Sequence, residues 1–481
     1  MTAQTLLRQM LPYALALAVS KALAFALLPL LTRALGPTGY AQWDLLATLA
    51  DLGGLALGLG LADSLYRFTP TAPKTPARLL GLALTAAVLF LAVGQTIVAL
   101  LPTLPFGVPR LALHALLASL ALIACLEVPL AAFRYAGQSR SFALGIAGRA
   151  VLQAGLIAVA ALYDGGVTGL ALATLGADII TALVLVLVTI RRFGIEIRPA
   201  QWRQPLRYGV PLAAGGGAGF VLGSCDRWFL VAVIPAASLA HYALAAKFAL
   251  VVSLILQPFA LWWYPRRIAW METAAGRGRS AQAVGAGLLL LTLAVATTSL
   301  LGPLLVEALT PPSFHAAGRW IAPLALAIAL NEAASLLNVG CYLGQTGAKP
   351  FLVNWLGAGV ALIGYLLIAP FTGVIAPEAM AIVATLAAHG SRIALFLHLG
   401  HKAAPIPYCW WPIAVFAGLA TLVILGVPAL GLVGMARGLV ALAALALLAG
   451  LAAGLGWFAW GRVKALPALE VAGLDLKVGT P

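Results

Sequence analysis

Residues 167–192 read VTGLALATLGADIITALVLVLVTIRR. From Val167 to Ile190 the only ionisable side chain is Asp178, and Arg191 and Arg192 close the run. About 18 or more apolar residues in a helix cross a hydrocarbon core of about 30 Å, and basic residues gather at the cytoplasmic end of such a span. The stretch therefore reads as a membrane-crossing helix whose carboxyl end faces the cytoplasm. Thr174, Asp178 and Thr181 fall at i, i+4 and i+7, so its polar groups share one helical face. An ionisable group at bilayer depth is costly and turns to a bundle interior or a wet cavity.

Working outward, about fourteen stretches of this kind recur, at 11–32, 41–62, 79–101, 111–132, 142–162, 167–190, 208–233, 238–262, 282–306, 319–341, 351–369, 379–398, 410–429 and 438–460. Composition agrees: 63% hydrophobic, 9% charged, mean hydropathy +1.03. The connections are too short to hold a soluble domain. The run after Arg8 continues past Lys21 to Thr32, too long for a cleavable leader, so it reads as a retained first span. The residues from Arg462 read as a short polar tail. The net charge of +15 is not spread as a nucleic-acid-binding surface would be. With a cytoplasmic N-terminus, the outer ends hold Arg33, Arg110, Arg227, Arg319 and Arg437. Lys21 and Lys247 sit at depth, and every other Lys or Arg of the 29 falls on the inner side. That bias puts both termini in the cytoplasm.

The expected architecture is an all-α polytopic membrane bundle of about 14 transmembrane helices. The basic linker 191–207 divides it into an N-terminal six-helix lobe (1–195) and a C-terminal six-helix lobe (196–405), with two additional helices and a cytoplasmic tail in 406–481. Both lobes start from the cytoplasm, so a repeat would be parallel, with a cleft between the lobes. Gly39-Tyr40-Ala41 and His241-Tyr242-Ala243 are a faint echo of such a repeat. Cys125, Cys225, Cys341 and Cys409 have no paired spacing and read as small apolar residues.

Further stripes match the one in 167–190. Asp44, Thr48 and Asp51 repeat its spacing, as do Asn331, Ser335 and Asn338, with Glu332 beside them. Gly215, Gly219 and Gly223 line one face of the seventh span, and Arg227 continues it, a pattern that permits close helix approach. Lys21, Glu127 and Lys247 complete the set. Each has a plain alternative. Asp226–Arg227 can be a headgroup-level pair, Lys247 can snorkel, and Glu127, two residues before Pro129, can line a kinked helix. Together, stripes on separate helices imply a polar cavity of mixed sign, in which cations hold an anionic group and carboxylates pair with them or exchange protons.

Enzyme chemistry finds no foothold: no His-Glu-x-x-His, Gly-x-Ser-x-Gly or P-loop spacing is present. His398 and His401 read as a solvated helix end. The Trp262–Arg267 and Tyr408–Pro412 runs read as interfacial anchors. No metal site and no cofactor is expected.

Three stretches resemble a known family: Leu206-Arg207-Tyr208-Gly209-Val210-Pro211-Leu212, Asp226-Arg227-Trp228-Phe229-Leu230 and Tyr242-Ala243-Leu244-Ala245-Ala246-Lys247-Phe248. They are similar to the seventh and eighth spans of Wzx-type polysaccharide flippases of the multidrug/oligosaccharidyl-lipid/polysaccharide (MOP) exporter superfamily. The stretch from Ser20-Lys21 to Pro29-Leu30-Leu31-Thr32-Arg33-Ala34-Leu35-Gly36-Pro37 and on to Gly39-Tyr40 is similar to theirs too. Ser20-Lys21 also resembles the small-plus-basic pair of the related lipid II flippases, where the basic residue is arginine. The resemblance covers essentially the whole chain in span count and orientation. It implies a two-lobed, MATE-like bundle in the bacterial inner membrane that moves undecaprenyl-diphosphate-linked oligosaccharide outward by alternating access, for surface polysaccharide synthesis.

On that basis Lys21, Arg227 and Lys247 are expected to hold the diphosphate. Asn331, Asn338 and Thr174 would bond sugar hydroxyls, and Asp51, Glu127, Asp178, Asp226 and Glu332 would pair charge or couple an ion. The implied partners are the lipid-linked oligosaccharide, the bilayer, and the polysaccharide polymerase and glycosyltransferases of the same pathway; nucleic acid is not among them. A multidrug/cation antiporter, a lipid II flippase and, from another class, a membrane glycan polymerase or ligase are the competing readings. A polymerase or ligase should carry a large outer loop, and every outer loop here is short.

Overall fold

The structure, a computed structural model, describes residues 15–16, 18–101, 107–264, 266–343, 348–432 and 434–460. The start of the expected first span, with Arg8, and the polar tail from Arg462 lie outside the described residues.

The described chain is helical and holds no strand. In order come α1 (18–26), α2 (Leu28–Leu57), α3 (Leu61–Phe68), α4 (Thr75–Leu100), α5 (Arg110–Ala121), α6 (Ile123–Tyr135), α7 (Ser139–Leu162), α8 (Gly166–Phe193) and α9 (Arg203–Gly223). There follow α10 (Asp226–Leu230), α11 (Ala236–Ala249), α12 (Val251–Trp263), α13 (Ala274–Leu309), α14 (Gly318–Leu337), α15 (Ala348–Leu366), α16 (Pro377–Ala403), α17 (Trp411–Ala429) and α18 (Gly434–Trp460). Among the described residues 12 helical segments are long and apolar enough to cross a membrane, so the chain is a multi-pass membrane protein. α9 is not among them, because its arginines and its Gly215-Gly216-Gly217 run dilute its apolar character.

The helix ends refine the expected spans. At Gly36 the backbone leaves the helical region (φ 59°, ψ −178°), which separates the first expected span from the second within α2. Pro37 disfavours the helical conformation at the residue before it, and glycine accepts a positive φ without a Cβ clash. The second span ends at Leu57, not 62: Leu59 and Gly60 turn through the left-handed region and α3 starts afresh. The seventh, expected to run unbroken over 208–233, is cut at Ser224 (φ −146°, ψ −8°) into α9 and α10. Arg227 therefore does not extend the α9 glycine stripe. Of the stripe, only Gly215 faces a neighbour, the Phe351 ring of α15 at 3.6 Å, whereas Gly219 and Gly223 have none where a Cβ would point.

The chain forms two compact units. One comprises Met1–Phe248, Gly302–Ala327 and Gly347–Arg392; the other comprises Ala249–Leu301, Ile328–Thr346 and Ile393–Pro481. In the first unit α3, α4 and α6 interlock through Leu61, Leu65, Leu79, Leu80, Val128 and Phe133, all fully buried. Lipid tails are as apolar as leucine, so such packing is held by van der Waals complementarity rather than by escape from water. The tightest backbone approach joins α9 to the α2–α3 turn. A Cβ on Gly209 would lie 2.7 Å from the Gly60 carbonyl oxygen and 2.9 Å from Ser64 Oγ, while Ser64 donates to the Pro205 carbonyl at 2.8 Å. Gly209→Ala is accordingly expected to lower stability by about 1–3 kcal/mol. Gly219→Ala, which meets open space, should be neutral or slightly stabilising. Thermal unfolding in detergent separates the two, and equal midpoints would dismiss the crossing as a constraint.

In the second unit Leu289, Ala296 and Leu300 of α13 pack with Phe416, Ala420 and Val427 of α17 and Ala441, Leu445 and Leu448 of α18. The last two expected spans, 410–429 and 438–460, correspond closely to α17 and α18.

Candidate functional site

Asp44 lies on the face of α2 that also carries Tyr40 and Thr48, and it is 2% exposed. A carboxylate so placed needs counter-charge, and two cations supply it. Arg227 Nε of α10 is 3.0 Å from Asp44 Oδ2, and Lys247 Nζ of α11 is 3.3 Å from Oδ1. The arginine contact is an ion pair by proximity, its N–H not aligned on the oxygen.

The break at Ser224 makes this geometry possible, because it redirects the chain and lets Asp226 and Arg227 open a new short helix. The Asp226 carboxylate accepts the Arg227 backbone N–H at 2.9 Å and the Tyr242 hydroxyl, and lies 3.4 Å from Arg227 Nη1. Arg227 Nη1 also reaches the Gly223 carbonyl at 3.5 Å. Trp228 Nε1 donates to Thr48 Oγ1 at 3.1 Å, which ties α10 to the next polar turn of α2. Two carboxylates and two cations thus form a neutral quartet, and neutrality is what makes the burial tolerable.

The quartet is unevenly exposed. The Arg227 side chain is 8% exposed, whereas that of Lys247 is 38% exposed. Lys247, Asp44, Ser20 and Gln153 line a cavity of about 260 Å³. Asp226 and Arg227 are both buried, and Arg227 pairs with a carboxylate on a helix far away in the sequence. Lys21 is exposed on α1 and does not line this cavity, although its neighbour Ser20 does.

A second cavity in the same unit, about 760 Å³, brings together four of the residues singled out from sequence: Asp51, Glu127, Thr174 and Asp178. Asp63 and Arg149 also line it. Asp178, 3% exposed, accepts Arg149 Nε at 2.8 Å and Ser119 Oγ at 2.6 Å. With Arg149 engaged by Asp178, the cavity keeps an excess of carboxylate from Asp51, Asp63 and Glu127. The Thr174 hydroxyl donates to the Leu170 carbonyl at 3.0 Å, so it meets the cavity as an acceptor.

The remaining predicted residues belong to the second unit. Ser253 Oγ donates to Glu332 at 2.7 Å, and Arg267 Nη1 donates to Asn338 Oδ1 at 3.1 Å. Arg267 stacks over the Tyr264 and Tyr342 rings at 4.6 and 4.8 Å. The Ser335 hydroxyl donates to the backbone carbonyl of Asn331, one turn earlier, at 3.3 Å.

Sequence reasoning passed over a further group. Arg392, 6% exposed, donates Nε and Nη2 to Asn354 Oδ1 at 3.0 and 2.9 Å and packs Nη1 against His389 Nδ1 at 2.9 Å. His389 and Arg392 stand at i and i+3 inside the expected 379–398 span, so the same search for a polar stripe finds them. Asp44 was read as part of a stripe but given no role; its stripe neighbour Asp51 is exposed.

The family model described as "Polysaccharide biosynthesis protein" matches residues 6–268. No curated protein matches the chain by sequence. Among solved structures, the lipid II flippase MurJ in an inward closed conformation is similar with a TM-score of 0.71 at 10% identity, over 91% of this chain and 98% of that one. A MATE protein in complex with MaL6 gives a TM-score of 0.55 at 16% identity, over 82% and 95%. An inward-facing MATE multidrug resistance transporter of the MOP superfamily gives 0.53 at 18%, over 82% and 94%. At these identities the likeness is one of fold, and that fold is the MATE-like helical bundle expected from the sequence.

Proposed function

The chain belongs to the polysaccharide biosynthesis protein family, and on that premise we propose that it is a flippase for undecaprenyl-diphosphate-linked oligosaccharide. It carries this lipid from the cytoplasmic to the outer leaflet of the bacterial inner membrane by alternating access, both termini cytoplasmic, to supply surface polysaccharide assembly.

The observation that supports this reading most is the sharing of Asp44 by Arg227 and Lys247. A diphosphate entering beside Lys247 competes with Asp44 for its ammonium. Once Lys247 turns to the phosphate, Asp44 still has Arg227, so no buried carboxylate is stranded. Lys247 is then the substrate ligand, Arg227 the permanent counter-ion, and Asp226 with Tyr242 the brace that holds the guanidinium. Lys21, exposed one position from the Ser20 lining, acts as an outer cation for the arriving phosphate. Thr174, Asn331 and Asn338 bond sugar hydroxyls, with Thr174 accepting. Asp51 and Glu127 give the larger cavity the charge to exchange a cation, Asp178 pairs charge with Arg149, and Glu332, held by the Ser253 hydroxyl, is a further ion-coupling group in the second unit.

The driving force is adequate without chemistry. Outward movement of one negative charge across an inside-negative potential gains about 2.3 kcal/mol per 100 mV. In proteoliposomes, a fluorescent undecaprenyl-diphosphate oligosaccharide should cross leaflets at a rate that rises with an imposed inside-negative potential. Folded protein that moves no such lipid, yet exchanges organic cations for protons, would overturn the reading in favour of multidrug export.

A further inference from the structure

A third cavity in the first unit, about 830 Å³, is lined by residues that translocation does not use. It lies where α3 and the start of α4 meet the linker and the start of α9. Arg78, Arg203 and Arg207 line it, no carboxylate does, and Phe68, Trp202 and Tyr208 supply its aromatic surface. Arginines at span ends are ordinary, and alone these would be a solvated rim. Three observations make this a built pocket.

Its walls are pinned. Phe68 meets Tyr208 edge to face at 5.6 Å, Ser64 Oγ bonds the Pro205 carbonyl, and the Gly60–Gly209 crossing locks α9 to the turn before α3. Its charge is partly free. Glu196 takes Arg78 Nε at 2.8 Å and Arg198 Nε at 2.7 Å, whereas Arg203 and Arg207 are exposed. Finally, α4 and α9 both begin at this cavity, and neither start is closed by a side-chain cap. Both starts turn the positive end of a helix dipole toward the cavity, which favours anions, although at α4 the Thr75 N–H is taken by the Ala72 carbonyl and Pro76 has none. Guanidinium forks suit phosphate oxygens, and the volume falls in the range of small-molecule sites.

We propose that this pocket binds the phosphate group of an anionic molecule, either the headgroup of an anionic phospholipid or a soluble phosphate ester, with Arg203 and Arg207 as its ligands. The aromatic wall covers the glycerol or sugar that the phosphate carries. Occupancy ties the linker before α9 to the start of α4. The site is independent of the translocation reading and would stand if that reading failed.

The test uses full-length protein in detergent, titrated with phosphatidylglycerol and followed by native mass spectrometry. Arg203→Gln/Arg207→Gln should weaken the tightest lipid binding by about 30-fold, while Arg277→Gln/Arg279→Gln should leave it unchanged. Displacement of the lipid by glycerol 3-phosphate would assign the phosphate ester alone as the ligand. Lipid binding that resists glycerol 3-phosphate would assign the intact headgroup. Equal loss in both variants, or no loss in either, overturns the proposal. Should the pocket variant not fold, phenylglyoxal modification of the wild type decides. Phosphatidylglycerol must protect Arg203 and Arg207 and spare Arg277 and Arg279, and absence of protection overturns the site.

Discussion

Asp44→Ala is expected to destabilise the protein by about 3–5 kcal/mol, the cost of leaving a buried cation without its partner. Arg227, 6% exposed, would keep only Asp226, whose oxygens already serve the Tyr242 hydroxyl and the Arg227 backbone N–H. Lys247 would lose its only carboxylate among the ion pairs of the described residues. Two cations would then face one anion in an apolar surrounding. Adding Lys247→Ala restores the balance of one to one and should recover part of the loss, so the double-mutant cycle should show a coupling well beyond additivity. Unfolding in detergent measures all four corners. An Asp44→Ala protein within about 1 kcal/mol of wild type would mean that the quartet is not an energetic unit.

Lys247→Ala alone is expected to behave in the opposite way, with its effect on transport rather than on folding. Its side chain is 38% exposed, and without it Asp44 keeps the 3.0 Å contact to Arg227. The unfolding midpoint should move little. Flipping of the labelled diphosphate lipid should fall by at least tenfold, because charge-assisted bonds to phosphate are worth about 1.5–3 kcal/mol each. Lys247→Arg keeps the charge and should keep part of the rate. A folded Lys247→Ala protein that flips at the wild-type rate would remove Lys247 as the substrate ligand and leave it a spectator of Asp44.

These two residues also mark how far the sequence could be read. Apolar length carried the fold, because the length of a span depends on composition over some 20 residues and tolerates local error. Stripe spacing located Asp44, Thr48 and Asp178 on inward faces, since the helix repeat alone settles which residues share a side. Pairing was not legible. Nothing in the spacing says that Asp44 meets Arg227 and Lys247, or that Asp178 meets Arg149 rather than a substrate, because those partners belong to helices far apart in the chain. The interruption at Ser224 was hidden too, because no proline marks it between 212 and 233 and Arg227 continues the i+4 glycine spacing, so Arg227 was set on a helix that ends before it. Arg392 and His389 escaped for a different reason: Arg392 was counted among the inner-side basic residues, and the i, i+3 spacing to His389 that marks them as a polar stripe was not followed.

The Asp44 contact also has a bearing on biosynthesis. The chain emerges from the ribosome in order, so Asp44 is made long before Arg227 and Lys247, with α3 to α9 in between. A carboxylate near the middle of a membrane helix costs roughly 2.5–3.5 kcal/mol at the translocon. During synthesis of those intervening helices α2 carries a charge that has no mate. A nascent chain halted before α10 therefore carries an unneutralised Asp44, and the arrival of α10 and α11 is what supplies its counter-charge.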